Sequence, residues 1–138
     1  MRVALVYVPS KGSEALVPIA KAMAKSLESA GHYVDLSEAR ADETPRLTGY
    51  DYIVVGTESA GALGKIPGRV AKFLAQAGML SGKRSMAFFR KSGLMPEKAL
   101  GKLMKAMEAE GMLVNCAEIV VNEASAAQAA REAPVERR

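Results

Sequence analysis

The sequence predicts an α/β domain built on a parallel sheet with helices on both faces. Three observations carry that expectation. Val3-Ala-Leu-Val-Tyr-Val8 and Tyr52-Ile-Val-Val-Gly56 are unbroken apolar runs, the pattern of strands buried on both faces. Such runs give way to turn residues and then to stretches with apolar side chains at three- and four-residue spacing. No linker, repeat or low-complexity block interrupts this alternation, and 138 residues suit one domain. The domain is expected to span residues 1–133, with a frayed tail over 134–138.

After the first strand, Ala15, Ile19, Ala20, Met23 and Leu27 place one apolar face on a helix that Gly31 ends. The short β-rich stretch His32–Leu36 suits an edge strand. Ser37–Gly49 is polar, contains Pro45, and offers material for at most a short helix. Tyr52–Gly56 is the next buried strand, followed by a loop from Thr57 to Pro67, where proline can open a helix. Val70, Phe73, Leu74 and Ala77 form that helix's inward stripe, and Gly78 stops it. Lys83–Phe89 predicts a fourth strand, with a loop over Arg90–Met95. Pro96-Glu97 opens a helix running through Leu100, Leu103, Met104 and Met107 to Gly111. Met112–Val121 contains the fifth strand, and Ser125–Ala133 a closing helix.

Composition narrows the function. No apolar run approaches the roughly 20 residues a membrane-spanning helix needs. Met1-Arg2 before six apolar residues imitates a signal peptide, but the apolar core is short and no good cleavage site follows. Cys116 is the one cysteine, which precludes an internal disulfide and suits a reducing, cytoplasmic location. A net charge of +4 and few aromatic residues (three Phe, four Tyr, no Trp) give little basis for stacking on nucleic acid. A solvated basic surface accounts for the charge. His32 and Cys116 lie far apart in sequence, which argues against a metal site or a Cys–His nucleophile and leaves both as structural residues. No residue stands out as a proton-transfer catalyst.

In open α/β sheets, ligands sit beyond the carboxyl ends of the strands, at the point where strand order switches. Pro9–Glu14, Thr57–Ile66 and Arg90–Met95 would converge there. Lys11, Lys65, Arg90 and Lys91 make that mouth basic despite Glu14 and Glu58, so an anionic, phosphorylated ligand is expected. Unpaired N–H groups at the start of the first helix would help to hold it. The first loop lacks the cysteine of a small phosphatase, and the strand ends lack the acidic residues of a receiver domain. Gly61-Ala-Leu-Gly-Lys65 is too short for a P-loop.

Val6-Tyr7 followed by Ser10-Lys-Gly12-Ser13, then Tyr50-Asp-Tyr-Ile-Val-Val-Gly-Thr57 leading through small residues to Ile66-Pro67, resembles the flavodoxin-like family. Lys83-Arg-Ser-Met-Ala-Phe-Phe89 and Glu97–Gly111 look like its fourth strand and following helix. The likeness covers about residues 2 to 123. It implies a three-layer α/β/α sandwich with a five-stranded parallel sheet of order 2-1-3-4-5. It also implies non-covalent FMN, with Ser10, Lys11, Gly12 and Ser13 on the phosphate. Thr57, Ser59, Ala60 and Gly61 would flank one side of the isoalloxazine, and Arg90, Ser92 and Gly93 the other. Gly61 would allow a backbone flip toward the reduced ring. Electron transfer with a redox partner protein, or a small flavin-dependent reductase, is the function this implies.

The first loop, Pro9-Ser-Lys-Gly-Ser-Glu14, has Lys11 and Glu14 in place of two hydroxyl donors of the family's usual phosphate loop. Glu14 reads either as a carboxylate opposing a phosphate or as an acid in a helix's first turn. Pro18 predicts a helix starting later than Ser13, with a longer first loop. Neither ring loop has an aromatic, so Leu63, Leu94 or Met95 would have to cover a flavin, and its affinity would be modest. The alternative is a binding or regulatory module that kept the fold, lost FMN, and receives another anion or an acidic protein partner.

Overall fold

The computed structural model describes residues 1–40, 44–61 and 63–136. In chain order the elements are β1 (Arg2–Val8), α1 (Leu16–Ser29), β2 (Tyr33–Glu38), β3 (Tyr52–Glu58), α2 (Arg69–Gln76), β4 (Arg84–Arg90), α3 (Pro96–Glu108), β5 (Leu113–Val120) and α4 (Glu123–Glu132). The strands form one parallel sheet of order β2-β1-β3-β4-β5. The expected strand order is therefore observed.

The alternation of side chains across the sheet divides the core in two. Val3, Leu5, Tyr52, Val54, Met86 and Phe88 face α1 and α4. Ala4, Val6, Ile53, Val55 and Ala87 face α2 and α3. β3, at the centre, is buried along its whole length. Gly56 is needed there because Phe88 crosses its face. A Cβ at residue 56 would lie 1.9 Å from the tip of that ring, well inside contact distance.

Several boundaries differ from the sequence expectation for identifiable reasons. α1 begins at Leu16, so Pro18 occupies its first turn, where no intrahelical N–H bond is needed. Leu16 thereby joins the buried stripe, while Ala15 is exposed. α2 begins at Arg69, two residues after Pro67, and Arg90 belongs to β4 rather than to the following loop. Asn122 caps α4 reciprocally with Ser125, which starts that helix at Glu123.

The β2–β3 connection contains no helix among its described residues; 41–43 lie outside them. It is tied down instead, with the Leu47 N–H on the Ala77 carbonyl at 2.8 Å and the Lys83 ammonium on the carbonyls of Thr48 and Tyr50. The tail is also anchored beyond the expected boundary. Val135 is buried in the α1/α4 core, and the Pro134 carbonyl accepts from Arg84 and Asn115. Fraying from Pro134 is therefore not what the fold shows; residues 137–138 lie outside those described.

Candidate functional site

β1 and β3 are neighbours whose connections leave in opposite directions across the sheet, so their C-terminal ends meet at the switch point. A cleft of about 830 Å³ opens there. Its walls are the Pro9–Ser13 turn on one side and Ser59, Ala60, Gly61 and the Pro67–Arg69 turn on the other, with Glu38 at the end of β2. Ser10, Lys11, Gly12, Ser13, Ser59, Ala60 and Gly61 are thus brought together as the sequence suggested. Arg90, Ser92 and Gly93 are not part of this lining. Glu38 and Arg69 were not among the expected residues and join from strand and helix ends.

The Pro9–Ser13 turn is partly committed to its own structure. The Ser13 N–H donates to the Ser10 carbonyl at 3.0 Å, and Ala15 N–H to the Ser13 hydroxyl at 3.3 Å. Gly12 holds φ +77°, a conformation that disfavours side chains with a Cβ. Glu14 is exposed, does not line the cleft and lies two residues before α1 begins, so it is neither the plug nor the first-turn acid that the sequence allowed. Lys11 and Arg69 are both exposed and offer cations from opposite walls.

The acid that matters is Glu58. It ends β3, is fully buried, and stands in register with Arg90 on β4. Arg90 donates Nε–H to Glu58 Oε1 at 2.8 Å, and its Nη2 lies 2.7 Å from the same oxygen. The other carboxylate oxygen accepts the Ser10 N–H at 2.8 Å and the Ser10 hydroxyl at 3.3 Å. Ser10, expected to hold a phosphate, therefore turns its two donors inward. Arg90, expected at the mouth, is spent on the same carboxylate. The mouth is correspondingly less basic than a count of its lysines and arginines suggests.

The loops expected to sandwich a flavin ring are fastened to each other. Ser59 N–H donates to the Ser92 hydroxyl at 3.0 Å, and that hydroxyl donates to the Arg90 carbonyl at 3.1 Å. The Ser59 hydroxyl donates to the Gly61 carbonyl, and Ala60 N–H to the Lys65 carbonyl. A Cβ at Gly93 would fall 2.7 Å from Ser59 Oγ and 3.1 Å from the Gly61 oxygen. A ring between two walls needs them roughly 7 Å apart, twice a carbon contact distance. Thr57 is fully buried with its hydroxyl on the Val8 carbonyl at 2.6 Å, so it faces no ligand. The residues present thus do not fit FMN in the arrangement the resemblance implies, either at the Ser10 donor or between the ring loops.

Burial, and then the Glu38 carboxylate, pushes the Tyr7 phenol above its ordinary range. Cys116 lies in β5, its thiol pushed up by burial and by neighbouring Glu118 and Glu132. Among the described residues no group of His, Cys, Asp and Glu could hold a metal ion, and no helix is long and apolar enough to cross a membrane.

No family model matches the sequence, and no curated protein matches it. Solved structures do. A flavodoxin from Archaea superposes with a TM-score of 0.67 at 18% identity, covering 96% of this chain and 95% of that one. Flavodoxin 1 from Bacillus cereus gives 0.71 at 14% identity, covering 96% and 93%. A flavodoxin from Streptococcus pneumoniae TIGR4 gives 0.69 at 19% identity, covering 96% and 97%. These identities speak for the fold alone, and with the observed strand order they agree on it: the chain has a flavodoxin-like fold.

Proposed function

We infer that the chain is a binding module of flavodoxin-like fold whose cleft at the ends of β1 and β3 receives a small anionic ligand. Lys11 and Arg69 would supply charge from the two walls. The backbone N–H groups of Lys11 and Gly12, which have no protein acceptor among the described hydrogen bonds, would supply direction. The observation that carries the reading is the Glu58 carboxylate on Ser10: the fold keeps the cleft while using its deepest donors internally. The lone, half-buried cysteine suits a reducing compartment, so a cytoplasmic location accompanies this reading.

Binding of FMN, with electron transfer to a partner or a reductase role, is the second reading. The structural neighbours favour it, as do the size of the cleft and the exposed apolar side chains of Leu63, Leu94 and Met95 on the neighbouring loops. It requires the loops at Ser59–Gly61 and Arg90–Gly93 to part. A thermal-shift panel of FMN, inorganic phosphate, nucleotides and carboxylates separates the readings, since any ligand of the folded state raises the midpoint. Stabilisation by a non-flavin anion, lost in Lys11→Ala and Arg69→Ala, supports the first. FMN alone stabilising the protein, with quenched flavin fluorescence, would establish the second in its place. No stabilisation by any of them refutes both.

A further inference from the structure

We propose that Glu58 is the specificity-determining residue of the cleft: its carboxylate stands where a ligand's phosphate would take the Ser10 N–H, so the chain rejects phosphate monoesters, FMN among them. Ser10 lines the cleft, yet its N–H and hydroxyl donate to the acid beneath it. Glu58 is 0% exposed and cannot swing into solvent to vacate that position without breaking its contacts to Arg90. A phosphate monoester arriving on the same turn would carry up to two negative charges onto a fixed one. Arg90 compensates that fixed charge from the far oxygen, which holds Glu58 in place without lending a donor to the cleft. A ligand of lower charge, such as a carboxylate or phosphodiester, can use the outer N–H groups of Lys11 and Gly12 at smaller cost.

The test is a gain of binding, which a merely structural acid would not produce. Wild type, Glu58→Gln and Glu58→Ser are titrated as full chains with inorganic phosphate and with FMN, following backbone amide resonances. In wild type the Ser10 amide is expected to stay unmoved. In either variant phosphate and FMN should bind roughly tenfold tighter or more, the scale of removing one close like charge, with the Ser10 amide shifting. A folded variant that binds phosphate and FMN no better than wild type overturns the proposal, as does a wild-type Ser10 amide that moves on saturable FMN binding. If neither variant folds, that wild-type amide decides. The inference goes beyond the binding role proposed above: a wild type that binds no anion removes that role, yet leaves the gain in Glu58 variants to be observed.

Discussion

Replacing Arg90 by methionine tests whether the Glu58 ion pair holds the two strand ends and the first loop together. The substitution keeps an unbranched side chain and removes two charge-assisted contacts, at 2.8 and 2.7 Å, from a carboxylate with no access to water. Breaking a buried pair by deleting one partner costs about 3–5 kcal/mol, because the remaining charge is left uncompensated. Two features place the cost near the lower end. Arg90 is 23% exposed, so the pair is not wholly dry, and Glu58 retains the Ser10 N–H and hydroxyl. A loss of about 3 kcal/mol follows. In urea, with a slope of about 1–3 kcal/mol/M for a small domain, the midpoint should fall by roughly 1–3 M at unchanged slope. The double variant Glu58→Gln/Arg90→Met should recover most of the loss, since removing both charges removes the penalty. A single variant that loses under about 1 kcal/mol, or a double variant as unstable as the single, would refute the reasoning.

Gly56→Ala should destabilise by about 1–3 kcal/mol or more through overpacking against Phe88, with partial relief in Gly56→Ala/Phe88→Leu by denaturant titration. Gly93→Ala should cost about 1–2 kcal/mol for its left-handed backbone alone and should shift the amide resonances of Ser59 and Gly61, which its Cβ would press upon. Burial, with Cys116 adding to it and Arg84 opposing it, pushes the Tyr52 phenol far above its ordinary value of 10.0. A folded-state pKa above the unfolded one stabilises the fold fully below pH 10 and progressively less as pH rises toward the folded value. Thermal midpoints should therefore fall above pH 10, and Tyr52→Phe, which also gives up the 2.7 Å hydrogen bond to Asn115, should fall less steeply there; equal slopes would count against it.

The fold was legible because its signals are local. Unbroken apolar runs at β1, β3 and β4 can be satisfied only between two covering layers, and the stripes at Ile19–Leu27 and Val70–Leu74 supply those layers. Boundaries were less legible because caps and strand ends answer to tertiary partners. Arg90 continues β4 past Phe89 because Glu58 waits beside it, and Val135 turns inward because α1 and α4 leave it a place. The loops that carry residues 10–13 and 59–61 could be placed from their position at strand ends, and the individual residues came from the family resemblance; the structure sets both loops along one cleft. Arg90, Ser92 and Gly93 occupy the expected strand end too, but the β3 loop closes against them, a contact that depends on Ser59 and on the missing Cβ at Gly93.

Glu58 shows why charge counting fails at such a mouth. Read along the chain, it is one acid among lysines and arginines in exposed loops. Parallel pairing places it beside Arg90, whereas the Ser10 N–H arrives from the opposite neighbour, β1, whose last residue Val8 pairs with Thr57. Three adjacent strands therefore deliver one carboxylate, one guanidinium and one amide to a single point that no sequence window contains. The charges of Glu58 and Arg90 cancel where they are buried, whereas Lys11 and Arg69 remain exposed on the cleft walls. An anion entering the cleft consequently meets Lys11 and Arg69 on its walls, the Glu38 carboxylate at the end of β2, and at Ser10 an N–H already committed to a buried acid. That ordering favours ligands whose charge stays outermost, and it reverses if the Glu58 carboxylate is removed.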